Sequence, residues 1–248
     1  MPDKFPKVLV NFWCFFHFRY SFQLIAVSNA VKEKLEKHHK VIVIYNEVPF
    51  ETEMKIYPYN EQSKIILYLS NYIPGKGLEY AIVALSSLGS DYEQWNLRFV
   101  GSDMGLEKNK SYKRRLQQMA QELGVLGRIH WGEFTKEVSI EYAQAGLVLN
   151  LSESESFSLT CLEAMYCNRP VMATACGGPQ EIITQGVDGE LVQLGSQQKI
   201  NTALAMLLKD VNLRRRYAAN ARKSVIKRFG LHQTAYKLIP IFEEAIKG

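Results

Sequence analysis

Glu155 and Glu163 are the acidic residues whose placement suggests chemistry. Glu155 lies in the loop Ser152-Glu153-Ser154-Glu155-Ser156-Phe157-Ser158, and Glu163 sits on the helical pattern that the loop introduces. Serines at a helix start are good caps and acidic residues there complement the dipole, so Glu153 and Glu155 also have a plain structural reading. Glu163 borders the apolar stripe of Leu159, Leu162, Met165 and Tyr166. A carboxylate beside buried surface needs a partner, whereas one turned outward is simply solvated. A second loop, Asn71-Tyr72-Ile73-Pro74-Gly75-Lys76-Gly77, also leads into a helical pattern. A lysine between glycines at a helix N-terminus suits an anion, but the same tripeptide serves as an ordinary turn. A third loop, Cys176-Gly177-Gly178-Pro179-Gln180-Glu181, lets the backbone turn tightly against something flat or charged. Gly101, Ser102, Asp103 and Gly105 form a fourth loop that turn chemistry explains.

Several chemistries are excluded by pattern. The Gly75–Gly77 spacing is not that of a Walker loop, and the Gly101 loop is not a dinucleotide fingerprint. No Asp-x-Asp occurs, which removes the usual carboxylate clamp for a divalent metal on a nucleotide-sugar. His17, His38, His39, His130 and His232 show no metal-ligand spacing, and no Gly-x-Ser-x-Gly elbow is present. No metal or other cofactor is therefore expected.

These loops need elements to position them. Short apolar runs at 24–28, 40–45, 64–70, 97–102, 128–133, 147–152 and 170–175 read as strands. Helical patterns at 29–39, 77–88, 107–123, 136–145, 158–167 and 179–185 separate them. After the Asp188-Gly189 turn the chain reads as almost wholly helical, and 46–63, with Pro49 and Pro58, as a connector. Near-continuous apolar strands suggest burial on both faces, and the intervening helices supply parallel crossovers. The expected class is α/β, a doubly wound Rossmann-like parallel sheet. Ligands in such sheets sit beyond the carboxyl ends of the strands, where the four loops lie. Asn168, before Arg169-Pro170, occupies the place of a left-handed helix cap.

The 248 residues allow one domain with additions or two small ones, and 47% apolar content is that of a globular chain. Thirty basic against twenty-five acidic residues give +5, too mild an excess for nucleic acid but compatible with anionic substrates or a membrane surface. Cys14, Cys161, Cys167 and Cys176 have no paired spacing and fit reduced thiols of a cytoplasmic protein. The run VLVNFWCFFHF at 8–18 follows Lys4 and Lys7 but lacks a small-residue cleavage site. It is too short to span a bilayer and is expected to be buried structure, the tail of a domain that began upstream.

Together, Glu155-Ser156-Phe157-Ser158-Leu159, Glu163-Ala164-Met165, Pro170-Val171 and Gly177-Gly178-Pro179-Gln180-Glu181 resemble the donor-binding half of retaining glycosyltransferases of family 4, which have the GT-B fold. Glu155 and Glu163 match that family's Glu-x7-Glu; Ala26-Val27-Ser28, Ile44-Tyr45-Asn46 and Pro74-x-Lys76-Gly77 support the match. The resemblance divides the chain into a remnant of the acceptor domain with its hinge (1–50), a nucleotide-sugar-binding domain (51–230) and a closing helix (231–248). It implies hexose transfer from a nucleoside-diphosphate sugar to a saccharide or lipid-linked acceptor, with retention and without metal. Glu155 would lie against the donor sugar, and Lys76 would neutralise charge on the departing diphosphate. The N–H groups of Phe157, Ser158 and Leu159 would cradle the distal phosphate, Glu163 would hold the ribose hydroxyls, and Asn71, Gly75, Gly177 and Gly178 would complete the donor site. The base would lie near 130–134.

The sequence departs from that pattern in three places. Asn71 stands where the family has Arg, Glu47 follows Asn46 where Gly is usual, and nearly all of the N-terminal domain is absent. The resemblance therefore implies an N-terminal-domain subunit as partner, possible peripheral membrane contact, and packing of 8–22 and 231–247 against the missing half. A remnant without catalysis, which holds nucleotide-sugar or serves as an interaction module packed on another protein, and a nucleotide-sugar epimerase remain as alternatives.

Overall fold

The computed structural model describes residues 6–35, 41–48 and 54–247. Its centre is a parallel six-stranded sheet of β3 (Ile65–Leu69), β4 (Asn96–Val100), β5 (Ile129–Gly132), β6 (Leu147–Asn150), β7 (Val171–Thr174) and β8 (Glu190–Val192). The spatial order is β5-β4-β3-β6-β7-β8, so the winding reverses between β3 and β6. That is the doubly wound order, with its switch point where the Lys76 and Glu155 loops leave the sheet.

Alternation of side chains across the pleat builds two cores. Ile66, Tyr68, Leu147, Leu149 and Met172 face α3 (Leu78–Ser86), α4 (Glu107–Glu122) and α8 (Gln197–Lys209). Leu67, Val148, Val171 and Ala173 face α5 (Val138–Gln144), α6 (Leu159–Tyr166) and α9 (Val211–Phe229). Burial on both faces explains why β3, β6 and β7 read as unbroken apolar runs. Two arginines inside the protein fasten the connector. Arg169 donates to the carbonyls of Tyr57 and Pro58, and Arg214 donates to those of Leu207, Leu208 and Glu61. Asn168 is left-handed at φ 58°, the cap its type suggested.

Three expectations are corrected. The chain after Gly189 is not almost wholly helical, because β8 pairs with β7 before α8 begins. Three residues after a turn offer too short a pattern to register as a strand. The 8–18 run forms α1 (Lys7–Tyr20), yet Val8, Phe12, Trp13, Phe15 and Phe16 are all exposed rather than buried. The first helical pattern, 29–39, is shorter than expected: α2 (Asn29–Glu33) ends at the Lys34 cap, and the part of that expectation at 36–39 lies outside the described residues. The closing helix, α10 (Leu231–Lys247), also exposes an apolar stripe of Tyr236, Ile239, Phe242 and Ile246. No helix among the described residues is long and apolar enough to cross a membrane.

A separate two-stranded parallel sheet, β1 (Leu24–Ala26) with β2 (Val41–Val43), is fastened through Glu181. Its carboxylate accepts from the Asn29 and Ala30 N–H groups at 2.9 and 2.8 Å, from Asn29 Nδ2 at 2.8 Å and from Tyr45 Oη at 2.8 Å. Burial pushes the Glu181 pKa upward, but these donors outweigh it and hold the group below the ordinary carboxylate range. Burial, with Glu181 beside it, pushes the Tyr45 hydroxyl up to about 12, so it remains a donor. A depressed folded pKa contributes stability that is present above the unfolded value and lost as pH falls through the folded one. Acidification is therefore expected to release the α2–β1–β2 unit: protection of the Asn29 and Ala30 amides, relative to their intrinsic exchange rates, falls as pH drops below the ordinary carboxylate range while β3 and β6 stay protected. An equal loss of protection in all of them would assign the acid response elsewhere.

Candidate functional site

At the switch point the β3–α3, β4–α4, β5–α5 and β6–α6 connections enclose a cleft of about 460 Å³. Its walls include Asn71, Lys76, Gly101, Phe134, Ser152, Glu155, Leu159 and Glu163. The volume lies within the range of small-molecule sites.

Tyr68 ties the two principal loops together. Its hydroxyl donates to the Lys76 carbonyl and accepts from the Leu151 N–H at 2.7 Å. The Glu153 N–H donates to the Gly75 carbonyl at 2.9 Å, a second clasp between the same loops. Lys76 is thereby brought to Glu155, its Nζ 2.7 Å from Oε1, and Ser152 Oγ reaches the same oxygen at 2.8 Å. The Glu155 side chain is 15% exposed and that of Lys76 34%. Lys76 is the one cationic side chain among the described residues lining the cleft.

Ser158 caps α6 from a left-handed conformation, φ 83°, held by Asn150 Nδ2 donating to its Oγ at 2.7 Å. The helix starts at Leu159; Ser158 Oγ accepts from the Cys161 N–H, which leaves the Leu159 and Thr160 amides without an intrahelical carbonyl and available to an anion. Glu163, further along the same helix, accepts from Tyr142 Oη at 3.1 Å. Burial pushes its carboxyl above the ordinary glutamate value, against a smaller opposing pull from that hydroxyl. Asn71 Oδ1 accepts from the Ser102 N–H at 3.1 Å, which leaves the two amide hydrogens for a ligand.

The predicted residues thus divide. Asn71, Lys76, Glu155, Leu159 and Glu163 line one cleft. Gly75 sits behind Lys76, clasped to Glu153. The Phe157 ring turns away to pack on Tyr45 and Phe229, with centroids 5.8 and 5.4 Å apart. Ser158 is buried as the cap. Gly178 receives the Phe157 backbone closely and donates its N–H to the Glu155 carbonyl at 2.9 Å, while Gly177 lines a neighbouring groove of about 290 Å³ with Ala30, Lys34, Ser156 and Cys176. Within 130–134, Phe134 lines the cleft and His130 does not. Gly101 is more than turn chemistry, since a Cβ there would lie 1.9 Å from the Ser70 carbonyl oxygen. Tyr68, Asn150 and Tyr142 were not singled out from sequence. Asn150, a polar residue ending an apolar strand, was the one signal present.

A six-stranded parallel sheet with this cleft at its switch point is a Rossmann-like α/β domain. The chain belongs to the glycosyl transferases group 1 family, whose pattern it matches over residues 49–224. Over 230 residues it is 26% identical to N-acetyl-alpha-D-glucosaminyl L-malate synthase of Bacillus anthracis, covering 90% of this chain and 58% of that protein. Over 163 residues it is 30% identical to lipopolysaccharide glucosyltransferase WaaG of Escherichia coli (strain K12), covering 65% and 42%. The chain therefore spans about two-fifths to three-fifths of these relatives' length. Among solved structures it is similar to Anabaena HepE in complex with UDP and glucose, with TM-score 0.88 and 22% identity, over 98% of this chain and 68% of that one. The structural likeness establishes the Rossmann-like half of a GT-B fold.

Proposed function

We propose that the cleft binds a nucleoside-diphosphate sugar and that the chain is the donor-binding half of a retaining, metal-independent hexosyltransferase of family 4, acting on a saccharide or lipid-linked acceptor. The observation that carries this reading is the convergence of Lys76, Glu155 and Glu163 on one cleft beside the α6 N-terminus. In it, Glu163 accepts from the ribose hydroxyls, and the amides of Phe157, Ser158 and Leu159, leading into α6, hold the distal phosphate. Glu155 meets the sugar. Lys76 neutralises the diphosphate as it leaves, supplying the positive charge that a divalent metal supplies elsewhere. The UDP and glucose named with HepE, and the glucosyltransferase among the relatives, support a nucleotide-sugar donor.

The acceptor side is completed by an N-terminal domain or partner that covers α1 and α10, whose exposed aromatic and aliphatic faces suit such packing or contact with a cytoplasmic membrane surface. Asn71, neutral where the family has a cation, favours a second reading in which the chain holds nucleotide-sugar without catalysing transfer.

Thermal unfolding against UDP, GDP and ADP and their common sugars tests the binding. Ligand at about 100 times its dissociation constant adds roughly 2.7 kcal/mol, which raises the midpoint by about 5–10 °C at this size. A selective rise with one nucleotide is the expected result and identifies the base. A cooperative melt that no nucleotide shifts would sink the donor-site reading and favour a remnant that packs on another protein. Transfer assayed with and without an added N-terminal domain then separates the catalytic reading from the binding-only one.

A further inference from the structure

Lys76, the one cation among the described residues lining the cleft, is already engaged by Glu155. The contact is 2.7 Å to Oε1, the same oxygen that Ser152 Oγ reaches, and no described residue bonds Oε2. The carboxylate is the less exposed partner, 15% against 34%, so it depends more on its neighbours for charge compensation. Asn71 brings hydrogens but no charge to the same wall. A diphosphate entering this cleft therefore competes with Glu155 for Lys76.

We propose that Glu155 is a specificity residue that discriminates the sugar-loaded donor from the spent nucleoside diphosphate, by competing with the phosphates for Lys76. This deepens the donor-site reading and rests on it. A spent diphosphate takes Lys76 and leaves a largely buried carboxylate with Ser152 alone. Its terminal phosphate also carries about one more negative charge than the same phosphate esterified to a sugar, because its last proton dissociates near neutral pH. A loaded donor makes the same demand on Lys76 but brings sugar hydroxyls, which donate to the vacated carboxylate. Glu155 thus penalises the product more than the substrate and favours its departure.

The test is a pair of affinities, measured by calorimetry or ligand-dependent melting, for UDP with UDP-glucose, GDP with GDP-mannose and ADP with ADP-glucose. In the Glu155→Gln protein the bare diphosphate is expected to bind more tightly, and the preference for the loaded form to fall by about tenfold, the scale of one charge-assisted hydrogen bond. Lys76→Gln is expected to weaken both ligands, and adding Glu155→Gln to it is expected to tighten the bare diphosphate little further, because no lysine is left to compete for. Glu163→Gln serves as control: the ribose is common to both ligands, so both weaken together. Weaker diphosphate binding by Glu155→Gln, or the same tightening by Glu155→Gln with and without Lys76, would overturn the competition while leaving the donor site intact. Absence of binding by the unaltered protein would instead remove the donor-site reading, and this proposal with it.

Discussion

Gly77→Ala is expected to destabilise the protein by about 2–4 kcal/mol, combining the left-handed penalty with overpacking. Gly77 has φ +72° at the start of α3, and a Cβ there would lie 1.9 Å from the Leu151 carbonyl oxygen and 2.6 Å from its carbon. Those are backbone atoms at the end of β6, so no side chain can swing aside. Gly75, two residues earlier, provides the comparison. Its φ is +85°, but its nearest obstacle is Glu153 Oε2 at 3.6 Å, an ordinary contact. Gly75→Ala should cost about 1 kcal/mol, the backbone term alone. Thermal unfolding of the two variants should differ by several degrees. Equal midpoints would mean that the β3 and β6 loops do not approach as described. Because Leu151 leads directly into Ser152 and Glu155, Gly77→Ala should also weaken nucleotide binding in the protein that remains folded.

Glu163→Gln is expected to raise the melting temperature of the ligand-free protein at pH 7 while weakening nucleotide binding by about 1–2 kcal/mol. Burial raises the Glu163 pKa above its ordinary value in the folded protein. A group of that kind contributes stability below its unfolded pKa and loses it as pH rises through the folded one. At neutral pH the ionised carboxylate is thus a cost to the fold, and glutamine removes the cost. The stabilisation should vanish at acid pH, where glutamate itself is neutral. In the proposed donor site binding moves the other way, because a charged acceptor for ribose hydroxyls becomes a neutral one. A variant that loses stability at pH 7, or that binds nucleotide unchanged, would take Glu163 out of the site.

Much of this was legible in the sequence because the signals were local. The central strands are continuous apolar runs, and Asn168 and Ser158 take the cap positions their side chains favour. Lys76 and Glu155 were marked by position in strand-end loops and Glu163 by its place beside the apolar stripe of a helix, and the fold brings all three to one cleft. What was missed depends on distant partners. Tyr68 reads as one more apolar strand residue, and its bridge between Lys76 and Leu151 exists only once β3 and β6 are neighbours. Gly101 reads as a turn until Ser70 is seen to pass beneath it. The exposure of α1 was not legible either, since an apolar run predicts burial without specifying against what.

The strand order has a consequence for when the site comes into being. Lys76 follows β3 and Glu155 follows β6, strands adjacent in the sheet but separated by β4, β5 and their helices along the chain. One wall is therefore delivered early in synthesis and the other late, and neither is a site alone. Contacts of such long sequence separation form slowly, after local helices and the β3–β4–β5 half. Nucleotide affinity should accordingly be among the last properties a refolding chain acquires, and a bound nucleotide is a report that both halves have closed on each other.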